Sequence, residues 1–254
     1  MRITMATLLK VLTYNIHKGF STTRARFVLH DIKAAINSIN PDLVFLQEIQ
    51  GEHIKRAARI KSWPELAQFE FLAETIWPHH AYGKNAIYKS GHHGNAILSK
   101  FPVVAWENID ISLHKRASRS LLHLQLKMPN TESPVHAICI HLGLFKHERE
   151  KQLAKLSDRI ASHVPHNEPL IIAGDFNDWK GRAEFYLENE LNLKEIFKFL
   201  YGMHAKTYPI WHPVLTMDRI YYRGFHAVQA KCLIDVPWRK LSDHAPLYAE
   251  FSLP

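Results

Sequence analysis

Nowhere in the 254 residues is there an apolar run of about 18, so the sequence offers no candidate for a membrane-crossing helix. The basic start, Met1-Arg2-Ile3-Thr4-Met5, leads into an apolar run that Lys10 breaks, and no small-residue cleavage site follows. It reads as the lead-in to a first strand rather than as a signal peptide. Cysteine is scarce. Only Cys139 and Cys232 occur, each in an apolar, strand-like setting. That excludes a disulfide framework and suits buried free thiols in a reducing cytoplasm. Low-complexity segments, short repeats and Pro/Gly/Ser-rich linkers are also missing, so residues 1–254 read as one domain.

What is present is an ordinary globular balance, 46% hydrophobic and 22% charged, which is enough to bury a substantial core. Lys and Arg outnumber Asp and Glu by 32 to 24, a net charge of +8. A basic surface favours polyanionic partners: nucleic acid, anionic lipid headgroups or phosphorylated small molecules. The small clusters Lys55-Arg56-Arg59-Lys61, Lys115-Arg116-Arg119 and Arg239-Lys240 each read singly as solvated surface.

Hydrophobic periodicity predicts a strand over residues 8–16 and an amphipathic helix over 24–40, stopped by Asn40-Pro41. A buried strand follows over 42–48, then a helix opened by Pro64 and running to about Ile76. Further strands are expected at 85–88, 95–99, 121–127 and 135–141, then a helix over 147–164 and a strand over 170–173. A short helix over 182–189, a surface loop over 201–216 and strands at 218–222, 227–233 and 247–252 complete the pattern. This order fits an α/β (α+β) sandwich of mixed sheets with helices outside. Each half has a helix leading to a strand that ends in an acid, Glu48 or Asp175, which suggests a pseudo-duplication.

The chemistry sits where apolar runs stop. Leu170-Ile171-Ile172-Ala173 feeds Gly174-Asp175-Phe176-Asn177. There Asp175 can orient and deprotonate water, and Asn177 can donate to a phosphate oxygen without repelling it; the competing reading is an Asx turn. Glu48 closes Leu43–Gln47 and suits Mg²⁺, which takes one or two carboxylates and keeps waters for the substrate; alone it reads equally as a strand end reaching solvent. Asn15, after Leu12-Thr13-Tyr14, offers a carbonyl oxygen to the same ion, yet alone reads rather as a turn residue. Asp243-His244 sets an acid beside an imidazole that can stabilise a phosphorane or donate a proton. Asp218 can fix that ring, and His141 is a further strand-end histidine. His79-His80 and His92-His93 lie apart from both cysteines and read as surface or pocket residues rather than zinc ligands.

Taken in order, Thr13-Tyr14-Asn15-Ile16, Leu46-Gln47-Glu48-Ile49, Gly94–Ser99, Ile140-His141-Leu142, Gly174–Asn177, Asp218-Arg219-Ile220 and Ser242–Pro246 resemble the endonuclease/exonuclease/phosphatase (DNase I-like) superfamily. Each motif is weak and the ordered set is specific. The resemblance implies a four-layer sandwich of two packed mixed β-sheets flanked by helices. It implies in-line attack of water on a phosphate ester, with Mg²⁺ as cofactor and Mn²⁺ as substitute. Position by position, Glu48 would be the main metal ligand, assisted by Asn15, with Asp243 in the metal or water network. Asp175 would activate water, Asn177 would hold the phosphate, and His244, oriented by Asp218, would face His141 across it.

His141-Leu142-Gly143-Leu144 and Leu215-Thr216-Met217 depart from the pattern of abasic-site endonucleases and argue against that repair activity. The expectation is a monomeric cytoplasmic phosphoesterase acting on a phosphodiester of nucleic-acid or phospholipid type. The alternative is a non-catalytic anion- or nucleic-acid-binding module that kept the fold. Against it stands the presence of Glu48, Asp175, Asn177, Asp243 and His244 together. A zinc-binding structural protein, the remaining rival, would need clustered ligands that the linear sequence does not show.

Overall fold

A computed structural model describes residues 8–21, 26–114, 118–129 and 131–253. In chain order the elements are β1 (Leu8–Asn15), α1 (Leu29–Ile39), β2 (Leu43–His53), α2 (Ile54–Ala57), α3 (Gln68–Ala73), β3 (His79–Tyr88), β4 (Gly91–Ser99), β5 (Val103–Asp110), β6 (Ser120–Leu126) and β7 (Val135–His141). Then come α4 (Lys146–His163), β8 (Leu170–Asp175), a π-helical stretch Phe185–Glu190, β9 (Lys194–Glu195), α5 (Ile196–Tyr201), β10 (Asp218–Arg223), β11 (His226–Cys232) and β12 (Leu247–Ser252).

The strands form two six-stranded sheets, ordered β11-β12-β1-β2-β4-β3 and β5-β6-β7-β8-β10-β9. Each is antiparallel except for one central parallel pair, β1–β2 in the first and β7–β8 in the second. Each parallel pair is joined through a helix, α1 or α4. The second strand of each parallel pair opens with a fully buried apolar run, Leu43–Leu46 or Leu170–Ala173, as strands covered on both faces do.

One apolar cluster lies between the sheets, joining Val11, Phe45 and Ile97 to Leu122, Ala137 and Ile171. A second packs Leu12, Val44 and Leu46 of the first sheet against Ile32 and Ile36 of α1 and Leu72 of α3. A third packs Ile138, Ile140 and Ile172 against Leu153, Leu156 and Ile160 of α4. The layers are therefore helix, sheet, sheet, helix. Gln47 spans the middle: its Nε2 lies 3.2 Å from Thr13 Oγ1 and 3.3 Å from Cys139 Sγ. Burial pushes the Cys139 thiol up to about 12, so it stays protonated. Both cysteines are free, and Cys232 is only partly buried.

Several boundaries differ from expectation. The helix expected from Arg24 begins at Leu29, because Phe27 pairs with Phe20 in an isolated bridge, their rings 5.4 Å apart. Asn40 in the left-handed conformation ends it. The helix expected over 63–76 shrinks to α3, where the Glu70 carboxylate accepts the Ala67 N–H at 3.1 Å. β5 and α5 were not expected. β5 is an edge strand that exposes Val104 and Trp106, so its pattern carries no clear alternation. The lead-in Met1–Met5, the expected helix start at Arg24 and the cluster members Lys115 and Arg116 lie outside the described residues.

Candidate active site

The two parallel pairs point their carboxyl ends the same way, and the polar residues gather there. Asn15 ends β1, and Glu48 follows the last β1–β2 pair, Asn15 with Gln47. His141 pairs in register with Asp175, and Asp218 pairs with Asp175 from the other side. Asp243 and His244 precede β12 and are tied in by Ser242, whose Oγ donates to the Asn15 carbonyl at 2.7 Å.

Asp175 is the hub. Its Oδ2 accepts from Asn15 Nδ2 at 3.1 Å and lies 3.5 Å from His141 Nε2 and 3.8 Å from His244 Nε2. Its Oδ1 accepts the Asn177 N–H at 3.0 Å. That last contact is an Asx turn, so the turn is real and is the means by which the carboxylate is aimed. Burial, with the Asp218 carboxylate nearby, raises Asp175 to about 7 against the pull of His244. His244 Nδ1 lies 2.9 Å from Asp218 Oδ2. Burial works against its charge, but Asp218, Asp175 and Asp243 together hold it up at about 10, so the ring is an imidazolium at neutral pH. Burial and then the Arg119 guanidinium drive His141 well below the usual histidine range, so it is neutral.

Backbone strain marks both acidic strand ends. Glu48 has φ 56° and Asn177 φ 49°, left-handed values that cost non-glycine residues on the order of 1–2 kcal/mol. At Glu48 the β2–β4 register shifts between Leu46 and Ile49, and the bulge turns the carboxylate out of the strand. Gly174, at φ 151°, has no alternative: a Cβ there would stand 2.0 Å from the Ile140 carbonyl oxygen. Asn177 Nδ2 donates to the Leu142 carbonyl at 3.0 Å, which uses one amide hydrogen and leaves the other.

The residues expected to hold a metal are near the hub but are not joined as one ligand set. Lys18 Nζ sits 2.5 Å from Glu48 Oε2. Burial opposes ionisation of Glu48, but the positive charge around it, with the Lys18 ammonium donating to its Oε2, outweighs that and holds the carboxyl near 2. Asp243 Oδ1 lies 3.2 Å from Ser242 Oγ, whose proton goes to the closer Asn15 carbonyl, and faces His17 Nδ1 at 3.5 Å. The cluster whose ligand atoms all lie within 4.8 Å of one another is Asp175, Asp218 and His244. Of these, His244 has committed Nδ1 to Asp218 and carries the proton a metal would have to replace. Glu48 fits a hard divalent cation better. It is ionised, partly open to solvent and already draws a cation; the Asn15 Oδ1, on the neighbouring strand, accepts the His17 N–H at 3.1 Å and keeps a second lone pair. Asp218 Oδ1, buried and without a partner among the described residues, leaves one further lone pair at the hub.

Four neighbours were not foreseen. Lys18 reaches Glu48 from a tight turn at φ 58°. Arg119 Nε donates to the Leu142 carbonyl at 3.1 Å, the acceptor that Asn177 also uses. Tyr208 lays its ring 4.9 Å from that of His244. Thr207 Oγ1 accepts the backbone N–H of Met217 and of Asp218. A lone Lys or Arg within a scattered basic composition gives no linear signal of such proximity. Tyr208 and Thr207 lie in the 201–216 segment, whose aromatic richness was the available sign.

A buried carboxylate raised to about 7, an imidazolium, two carboxamides and an ionised acid thus gather at one end of the two sheets. The model of the Endonuclease/Exonuclease/phosphatase family matches residues 12–244, and the chain belongs to that family of metal-dependent phosphoester hydrolases. It is 42% identical over 244 residues to the uncharacterized protein YbhP of Escherichia coli K12, covering 96% of each chain. The crystal structure of an endonuclease/exonuclease/phosphatase from Beutenbergia cavernae DSM 12333 superposes with a TM-score of 0.78 at 20% identity, over 97% of this chain and 72% of that one. The mannosyl-6-phosphatase Bt3783 of Bacteroides thetaiotaomicron VPI-5482 does so at 0.70 and 17%, over 96% and 100%. These two likenesses establish the fold, two packed mixed sheets flanked by helices.

Proposed function

We propose that the protein is a Mg²⁺-dependent phosphodiesterase whose hydrolytic water is activated by Asp175. The observation that carries this reading is the His244 ring held between two carboxylates, 2.9 Å from Asp218 and 3.8 Å from Asp175. A fixed cation a few ångströms from a carboxyl raised to about 7 supports an acid–base reading.

Glu48 and Asn15 hold the divalent ion, with Asp243 in its surrounding network. When bound, the ion offsets charge on the phosphate and on the departing oxygen. Asp175 Oδ2 takes the proton from water, and Asn15 Nδ2 keeps that oxygen aimed. His244 Nε2–H, opposite the nitrogen committed to Asp218, donates to a phosphate oxygen. The remaining Asn177 amide hydrogen does the same, and neutral His141 faces them as a hydrogen-bonding partner. Lys18, Arg119 and the imidazolium offset the carboxylates gathered at the mouth and offer donors to an anionic ester.

A phosphodiester of nucleic-acid or phospholipid type fits the excess positive charge of +8. Two free thiols agree with a cytoplasmic location, and no helix among the described residues is long and apolar enough to cross a membrane. We read the chain as one domain acting as a monomer.

The test is a panel of bis-p-nitrophenyl phosphate, p-nitrophenyl phosphate, plasmid DNA, RNA and phospholipids, in Mg²⁺ and in EDTA, with Asp175→Ala as control. Diester turnover that needs Mg²⁺ and is lost in the variant is expected. Equal turnover by both proteins sinks the mechanism, and no turnover of any substrate favours a binding module. Steep loss of activity with salt would select nucleic acid over a small soluble diester.

A further inference from the structure

Among the described residues, one group of side chains outside the hub also brings metal-binding atoms together. His114 lies in the loop between β5 and β6, and His147 and Glu148 lie in the first turn of α4. Their ligand atoms all fall within 4.8 Å of one another, and the two imidazole rings are 6.4 Å apart. His147 and Glu148 are adjacent, but His114 is 33 residues before His147, so the fold brings the third ligand to the pair.

Three observations single it out. First, Glu148 is only 5% exposed. Among the described residues its carboxylate receives no hydrogen bond and no ion pair. Its oxygens are not fully enclosed, so they remain open to a cation beside the two exposed imidazoles. Second, space has been cleared for it: a Cβ at Gly143 would stand 2.6 Å from Glu148 Oε2. Third, the neck of the His114 loop is fastened. The Arg119 N–H donates to Ser112 Oγ at 2.8 Å, and the Ser112 N–H donates to Asp110 Oδ1 at 2.7 Å. Two exposed imidazoles on anchored backbone can turn through the last ångström needed to reach a common ion at ~2 Å.

We propose that His114, His147 and Glu148 form a second metal site, for a divalent cation of the zinc class. Two imidazoles and one carboxylate suit that class, whereas the all-oxygen set at Glu48 and Asn15 suits Mg²⁺. An ion here clamps the β5–β6 loop to the start of α4. It does so beside Leu142, whose carbonyl is held by both Arg119 and Asn177. The site therefore fixes one wall of the catalytic mouth without touching the reacting atoms.

The experiment is calorimetric titration of Zn²⁺ into EDTA-treated, dialysed protein in excess Mg²⁺, which occupies the hard oxygen site. It is paired with thermal melts and with the visible spectrum of the Co²⁺-loaded protein. One equivalent of Zn²⁺, a rise in Tm and a tetrahedral Co²⁺ spectrum are expected in the unaltered protein and in Asp175→Asn. All three are expected to vanish in His147→Ala and in His114→Ala, whose exposed positions leave folding intact. Glu148→Gln is expected to lose the equivalent as well. The proposal is overturned if the unaltered protein binds no Zn²⁺, if His147→Ala binds it equally, or if Asp175→Asn is the variant that loses it. None of these outcomes depends on phosphodiester turnover.

Discussion

In the first sheet the parallel pair β1–β2 ends in Asn15 and Glu48; in the second the parallel pair β7–β8 ends in His141 and Asp175. Each pair has a carboxylate following its second strand, a hydrogen-bonding residue ending its first and a helix as crossover. Their electrostatics are opposite. The Glu48 side chain is 20% exposed, pairs with Lys18 and is held near 2. The Asp175 side chain is 2% exposed, lies beside another carboxylate and is raised to about 7. One backbone construction thus makes a permanent anion in one half and a proton acceptor in the other. What differs is the shell: a lysine and solvent against a buried acid and a shared imidazolium. The proposed division into cation holder and base requires this contrast, which arises where two similar half-structures face one mouth.

The two strand ends can be separated by mutation. Asp175→Asn keeps the shape and removes the base. It is expected to lower kcat on a diester about 10³-fold or more while leaving the Mg²⁺ concentration for half-activity little changed. Glu48→Gln is expected to do the reverse, raising that concentration on the order of 10- to 100-fold with a smaller loss of kcat at saturating metal. Steady-state kinetics over a Mg²⁺ series reads both numbers. If both variants show the same pattern, the contrast between the halves fails. Asp218→Asn is expected to cost less than Asp175→Asn, roughly 10- to 100-fold in kcat. Because it removes the main anion that raises His244, the alkaline limb of the pH–rate profile should fall from about 10 toward the ordinary histidine value. A limb that stays in place means that Asp218 does not hold the ring's proton.

The strand ends were legible because parallel strands buried on both faces read as unbroken apolar runs, and a polar residue closing such a run stands out. This located Asn15, Glu48, His141 and Asp175 on the right elements. The shells around them were not legible. Lys18 meets Glu48 across 30 residues of sequence, and only the tight turn at φ 58° and the bulge at Glu48 bring them together. The 201–216 segment reads as a surface loop, yet Thr207 is fully buried and fastens Asp218, and Tyr208 covers His244. Edge strand β5, the two-residue β9 and the six-residue α5 bury too little, or are too short, to show a period. The sequence reading also set zinc chemistry aside because no ligands cluster along the chain. His114, His147 and Glu148 show how little linear spacing says when a loop and a helix start meet in space.

The smallest predicted effect bears most directly on the contrast, because it changes sign between the two halves. In metal-free protein the folded-state pKa of Asp175 lies above its ordinary 3.8. Between about 4 and 7 the folded state therefore keeps a proton that the unfolded chain has released. Stability falls as pH rises across that window, by at most about 1.4 kcal/mol per pH unit, and levels off above it. Glu48 lies below its ordinary 4.5, so its contribution is present in full above that pH and is lost as pH falls toward 2. Urea melts in EDTA at pH 7.5 should then show Asp175→Asn more stable than the unaltered protein and Glu48→Gln less stable. Near pH 4 the Asp175→Asn advantage should have gone, because there the unaltered carboxyl is protonated when folded and carries no buried charge. Removing Asp175 also removes one of the anions that hold up His244, so the second decline of stability, which starts near 6.5 and runs to about 10, should end at lower pH and be smaller in that variant, with its onset unchanged. If the two substitutions shift stability in the same direction at pH 7.5, then the carboxylates sit in like environments, and the division into cation holder and base is wrong.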